Sequence, residues 1–247
     1  MKLMNGSSVE DCGIHLGRLV EGTFLCRDNR FRVQVQIGDK VTAAHLPNSG
    51  RLAELLVAGR RVWLTPAEPA ARLRRRTAYD LTLVEHADQL VSVDSRLPGD
   101  LVVHALACGL LDAEFGAYPV VRREVRLGKS RIDFLLEGAC ASACWLEVKS
   151  VTLVMAGMAH FPDAPTSRGR RHVLELAQAV EDGDRAALIF VVQRADATAF
   201  CPHDSADPAF GQALRHAAAV GVKVLAVRCG VTHSSVQITG LIPVLLS

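Results

Sequence analysis

Residues 130 to 153 read SRIDFLLEGACASACWLEVKSVTL, and the fold of the chain turns on them. Two apolar strands, RIDFLL and WLEVKS, flank a run of small residues. Charge interrupts both: Asp133 the first, Glu147 and Lys149 the second. Successive side chains of a strand face opposite ways, so Glu147 and Lys149 share one face and Val148 points to the other. If the strands form a hairpin, Asp133 lies opposite that pair. Two carboxylates held this close repel each other unless a hard cation neutralises them. Mg²⁺ (or Mn²⁺) takes oxygen ligands and keeps part of its water shell, and the backbone carbonyl of Val148 would add a third protein oxygen. A lysine beside it can orient water or stabilise charge on a phosphate. A surface hairpin with a Glu–Lys pair carries the same letters; the apolar strands around them favour the metal site.

Outward from this hairpin the pattern is one of strands followed by helices. YPVVRREVRLG precedes it as a strand, and an amphipathic helix, LPGDLVVHALACGLLDAEF, precedes that. After it come a helix in SRGRRHVLELAQAVEDG, an apolar strand in AALIFVVQ, a helix around DPAFGQALRHAAAVG and a last core strand, VKVLAVR. Near-continuous apolar strands alternating with helices predict an α/β layered sheet. In that setting D…(E/D)xK resembles the restriction-endonuclease-like, PD-(D/E)xK superfamily. The resemblance implies an acidic residue from the preceding helix as a further ligand, Glu114 ahead of Glu124. Residues 17 to 65 differ in character: FRVQVQI alternates Phe31, Val33, Val35 and Ile37 against polar neighbours, and KVTAAHL and RRVWLTPA are further short strands. Short strands joined by turns predict a small barrel. The expected division is 1–85 for the barrel and 86–247 for the α/β domain.

Composition bounds the partners. The chain of 247 residues has a net charge of +2, but residues 1 to 85 hold 13 Lys+Arg against 9 Asp+Glu. The excess is densest at Arg72, Arg74, Arg75 and Arg76, a run suited to phosphate and equally to a solvated loop. No apolar run reaches the ~18 residues of a membrane span, and MKLMNGSSVEDCG has no apolar leader segment. Seven cysteines at irregular spacing predict reduced thiols and a cytoplasmic protein. Cys140 and Cys144 lack the partners a zinc site needs. Asp163, Thr166, Arg168, Gly169, Arg170 and His172 run from a loop into a helix, where an amino terminus flanked by arginine suits an anion. Arg168 and His172, four apart, share a helix face expected to meet a DNA backbone. Gln193 ends the apolar strand and is expected in the same cleft.

Several longer motifs are similar to those of the sugar fermentation stimulation protein family: HLPNSGR at 45–51, SRIDFLL at 130–136, EVKSVTL at 147–153, FPDAPTSRGRRHVLEL at 161–176 and the block from Asp207 to Ala226. The resemblance covers nearly the whole chain. It implies an N-terminal OB-like β-barrel, a nuclease-like α/β domain and a DNA-binding protein historically tied to sugar-use genes. The family usually reads HCPNTG where this chain has Leu46 in place of the cysteine, which argues against thiol chemistry there. Asn48, Ser49 and Arg51 are read as a turn facing the ligand, although Asn and Gly also simply favour turns.

Two functions answer to these residues. One is Mg²⁺-dependent phosphodiester hydrolysis of nucleic acid, with Asp133, Glu147 and Val148 on the metal, Lys149 on the water, and DNA, single-stranded or structured, as substrate; RNA stays open. An OB-like barrel suits unpaired strands, with Phe24, Phe31, Trp63 and Tyr79 as stacking candidates. The other is a non-cleaving DNA-binding regulator linked to sugar metabolism genes. Neither helix-turn-helix nor zinc finger is apparent for base readout.

Overall fold

The computed structural model describes residues 12–68, 76–116, 118–138 and 142–247. After a short strand β1 (Ile14–His15), six strands build the first unit: β2 (Val20–Asn29), β3 (Arg32–Ile37), β4 (Lys40–His45), β5 (Arg61–Pro66), β6 (Tyr79–His86) and β7 (Gln89–Ser92). Their order is β4-β3-β2-β5-β6-β7, and a parallel bridge from His45 to Asp80 joins β4 to β6. Five strands thus close into the expected OB-like barrel. Val33 and Val35 point inward, as the period of two requires, and meet Phe24, Leu64 and Leu81. Leu46, which replaces the cysteine of the family motif, is fully buried in this core. The alternation fails at Phe31, which sits in the turn between β2 and β3 and is 47% exposed. Ala87 and Asp88, both at positive φ, make the tight turn that adds β7.

The barrel sheet therefore runs to Ser92, past the division expected at 85/86. The second unit is led by α1 (Leu97–Ala107) and a single turn α2 (Asp112–Phe115). One continuous helix was expected here; Gly109, at φ +73°, breaks it. Then follow β8 (Val120–Leu127), β9 (Ser130–Glu137), β10 (Cys144–Val151), β11 (Val154–Met155), β12 (Met158–Phe161), α3 (Ser167–Glu181), β13 (Arg185–Val192), β14 (Ala199–Pro202), α4 (Pro208–Val220), β15 (Lys223–Val231) and β16 (Ser235–Ile242).

The main sheet has the order β1-β16-β15-β13-β10-β9-β8. Its centre, β10-β13-β15, is parallel and its flanks are antiparallel. The strand Ala186–Val192 is buried along its whole length, because helices cover both faces. Leu101, Val102 and Ala105 of α1 pack on one face. Val173, Leu176 and Ala177 of α3, with Phe210 and Leu214 of α4, pack on the other around Phe190. This is the layered α/β arrangement, with helices on both faces of the sheet, expected from the sequence. The strand VKVLAVR is not the last: β16 and β1 extend the sheet beyond it.

Two contacts between residues distant in sequence differ from what the sequence predicts. Cys12 and Cys108 form a disulfide, with Cα atoms 6.2 Å apart across 96 residues of sequence, which corrects the expectation of reduced thiols throughout. Pairing of β1 with β16 brings Cys12 to the end of α1. Cys26, Cys144, Cys201 and Cys229 are free. Gln193, fully buried, is a joint between the two units rather than a cleft residue. Its side chain donates to Asp94 O at 3.1 Å and Ser150 Oγ at 2.9 Å, and accepts from Ser92 Oγ at 2.8 Å. Among the described residues no helix is long and apolar enough to cross a membrane.

Candidate active site

Asp133 sits where the sheet loses its pairing on both sides. The β9–β10 ladder ends at Leu146 opposite Phe134. On the other side the β8–β9 register passes from Arg123–Phe134 to Val125–Ile132, skipping Glu124, whose φ is +55°. Side chains take over where backbone pairing stops. Asp133 Oδ2 accepts from the Val148 amide at 2.8 Å, and Glu147 Oε2 accepts from the Asp133 amide at 3.3 Å. The strands diverge at the point where the two carboxylates face each other, as the hairpin reading required.

Glu147 is 2% exposed, so its charge needs partners. Lys149 Nζ donates to Oε1, and His172 Nδ1 lies 2.5 Å from the same oxygen. Arg168 Nε donates to His172 Nε2 at 3.4 Å, which leaves the ring proton on Nδ1, directed at Glu147. Oε1 is thus saturated, while Oε2 has one long bond. Burial pushes the Glu147 carboxyl up, yet Lys149 and His172 hold it below its ordinary value. Burial pushes the Asp133 carboxyl up as well, to about 6, reinforced by the Glu147 charge. The Val148 amide and Lys149 only partly offset this. Two adjacent carboxylates, Glu147 buried and Asp133 half-buried and reluctant to ionise, are a donor set that a hard cation would stabilise. Among the described residues no group of three or more His, Cys, Asp or Glu is placed to hold a metal. The carboxylates that could hold such an ion are Asp133 and Glu147, a set small enough to suit an ion that keeps several waters.

These groups line a cleft of about 710 Å³ between the two units. Its walls carry Arg30 and Phe31 from the barrel and Arg168 from the start of α3. Thr166 caps that helix, accepting from the Gly169 amide at 3.0 Å. Asp163 closes the cleft from below: its Oδ2 accepts from the amides of Arg51 and Leu52 at 2.6 and 3.2 Å. Gly50 is required there, because a Cβ at that position would lie 2.5 Å from the same oxygen. Arg27, which the sequence did not mark, ties the two barrel lips together. Its guanidinium donates to the carbonyls of Gly50 and Arg51, each at 2.8 Å, and of Arg30 at 2.7 Å. These partners are distant in sequence, and no local pattern signals them.

Several expected residues take other places. Glu114 does not join the carboxylates: it ends up on α2, paired with Lys223 at 2.7 Å, because Gly109 turns the chain away from α1. Glu124 lies beside Asp133 on a smaller cavity of about 340 Å³, exposed, and 4.0 Å from Arg131. His172 is 3% exposed and cannot reach a DNA backbone; it backs Glu147 instead. Gly169, Val173, Leu176 and Ala177 are its neighbours on the buried face of α3, a spacing that already marks His172 as inward. Arg168 is exposed in the cleft, Arg170 exposed outside it. Asn48 is buried and structural, donating to Val93 O at 3.0 Å and accepting from the Gly50 amide at 2.9 Å. Ser49 is exposed in the cleft, whereas the exposed Arg51 contributes its backbone. Arg72, Arg74 and Arg75 lie outside the described residues. Arg76 lines a separate cavity of about 580 Å³ on the barrel.

Comparison with known proteins agrees with both units. A family model for the SfsA N-terminal OB domain matches residues 25–93, and one for the sugar fermentation stimulation protein RE domain matches residues 96–235. The chain is 42% identical over 245 residues to a sugar fermentation stimulation protein homolog of Desulforamulus reducens, covering 98% of this chain and 100% of that one. It is 44% identical over 220 residues to the homolog of Moorella thermoacetica, 89% of this chain and 94% of the relative. The structure of Pyrococcus furiosus SfsA in complex with Ca²⁺ superposes with a TM-score of 0.86 at 29% identity, covering 94% of this chain and 98% of the other. With both family models matched in order and the fold shared across the length of the chain, it belongs to the sugar fermentation stimulation protein family.

Proposed function

We propose that this protein binds DNA in the cleft between its barrel and its α/β domain and hydrolyses a phosphodiester bond there with the help of Mg²⁺ or Mn²⁺. The observation that carries the reading is the meeting of Asp133, Glu147 and Lys149 where β9 and β10 diverge, at the floor of a cleft walled by arginine. Asp133, Glu147 and the Val148 carbonyl would hold the metal. When bound, it would supply positive charge at a phosphoryl oxygen and lower the pKa of water. Lys149 has only donors, so it can fix a water by its oxygen and offset charge growing on the phosphate. Arg168, anchored through Nε to His172, has terminal nitrogens with no partner among the described residues, and these can fork onto phosphate. The family relative from Pyrococcus furiosus is described in complex with Ca²⁺, another hard, oxygen-seeking cation, which supports a divalent ion in this family.

Only two carboxylates converge, and that favours a second reading, a non-cleaving DNA binder. The experiment that separates them is cleavage of labelled single-stranded, duplex, flapped and branched DNA and RNA with Mg²⁺ or Mn²⁺, beside a Glu147→Ala control. The expected result is metal-dependent cutting that disappears in the control. Binding without cutting across the panel would establish the second reading.

A further inference from the structure

We infer that the tip of the β2–β3 hairpin is a stacking subsite for an unpaired nucleotide, and that the DNA strand entering the cleft is single-stranded where it crosses the barrel. The inference rests on the proposal that the cleft takes DNA. Four aromatic residues of the barrel could stack on a base, and the fold removes three of them. Phe24 is 3% and Trp63 6% exposed, and Tyr79 packs against the barrel core. Phe31 alone among the described Phe, Tyr and Trp residues is a large hydrophobic left open, at 47%. Its position is special as well: the ring lines both the cleft that holds Asp133 and Glu147 and the neighbouring cavity on the barrel.

An exposed aromatic ring binds better when the backbone that carries it is already fixed, and here it is. The Phe31 amide donates to Asn29 Oδ1 at 3.0 Å. The Phe31 carbonyl accepts from the Leu46 amide at 2.9 Å and meets His45 Nδ1 at 3.0 Å. The imidazole of His45 stands 6.3 Å from the phenyl ring, tilted by 32°, and forms a second flat wall. Arg27 fixes the preceding residue, Arg30, through its carbonyl. The turn is therefore held at the carbonyls of Asn29, Arg30 and Phe31 and at the Phe31 amide.

Charge completes the subsite. Arg30 projects on the cleft side, and Arg32, Arg76 and Arg96 line the barrel side. Arg32 pairs with Asp28, and Arg96 with Asp80 and Asp94. Arg30 and Arg76 have no ion pair among the described residues and are the cations available to phosphates on either side of the ring. A π-face flanked by two free guanidinium groups takes one base of an extended strand, with a phosphate before and after it. In a duplex every base is already stacked, so the ring has nothing to receive.

Fluorescence anisotropy on the full chain tests this, with Ca²⁺ present and the dyes on oligothymidylate, on the same oligomer with central abasic sites, and on a blunt duplex. Phe31→Ala should weaken oligothymidylate binding about 5- to 150-fold and leave duplex binding unchanged. Phe31→Trp should restore it, and the abasic oligomer should bind wild type and Phe31→Ala alike. Thermal unfolding of Phe31→Ala should match wild type, since the side chain is exposed. Wild type binding oligothymidylate with no loss in Phe31→Ala would overturn the subsite and leave the DNA reading standing. Equal losses on single strand and duplex would overturn it too. Failure of wild type to bind any of the three would overturn the DNA reading itself. Oligouridylate added as a fourth probe, bound in place of oligothymidylate, would overturn the choice of DNA.

Discussion

At the residue scale, the site is built by giving one carboxylate oxygen more partners than the other. Lys149 and His172 both address Oε1 of Glu147, which leaves Oε2 toward Asp133 and the cleft. His172 is a positioning residue: it touches Glu147, not the solvent side. Its removal should weaken Mn²⁺ binding by roughly 10- to 100-fold, the usual cost of losing a group that orients a ligand. Titration calorimetry of His172→Ala would measure this, with His172→Gln, which keeps an N–H donor, expected to recover part of it. Unchanged affinity in His172→Ala would mean that Lys149 suffices to hold Glu147. Asp133, Glu147 and Lys149 were legible in the sequence because charge inside an apolar strand is conspicuous. The four-residue step from an exposed arginine suggests a shared outer face for His172, yet its ring turns inward to Glu147. The apolar stripe through Val173 and Leu176 was the better guide.

At the scale of elements, strands with a clear period of two were legible and closures between distant strands were not. β3, β9, β10 and β13 follow directly from their residues. β1, β11, β14 and β16 are short or polar at alternate positions, and only their partners make them strands. The same holds for loops. The segment from Pro47 to Leu52 looks like a generic turn, yet its shape comes from Asp163, more than a hundred residues away in sequence. Gly50→Ala tests that clamp. A methyl group at 2.5 Å from Asp163 Oδ2 must displace the carboxylate and release two amides. The expected result is a loss of about 1–3 kcal/mol in urea unfolding. Substrate affinity should fall with it, because Ser49 moves with the loop. A fully stable Gly50→Ala would show that the loop adjusts without losing those bonds.

At the scale of the whole molecule, the two units are fastened by the buried polar contacts of Gln193, by the half-buried Asp163 carboxylate and by the Trp63 and His233 rings, 4.6 Å apart. The disulfide acts within the second unit but spans the barrel in sequence. Closing a loop of 96 residues removes unfolded-state freedom worth about 4.7 kcal/mol on the chain-entropy account, of which measured disulfides commonly deliver less. Cys12→Ser, or reduction of the wild type, should therefore lower the unfolding free energy by roughly 2–4 kcal/mol with no change at the cleft. Equal unfolding curves with and without reductant would show that the bond contributes nothing to stability. No sequence pattern could reveal this pair, since neither cysteine has a neighbour that marks it.

The pairing of β1 with β16 also has a meaning in time. The barrel is contiguous in sequence, so it can close on the ribosome as soon as β7 has emerged. The sheet that carries Asp133 and Glu147 is not: its first strand is made before the barrel, and the strand it pairs with is made after every other strand. The barrel is, in effect, an insertion between β1 and the rest of that sheet. Residues 14 and 15 must stay unpaired through nearly the whole of synthesis, and the second unit reaches its final edge only when translation has passed Ile242.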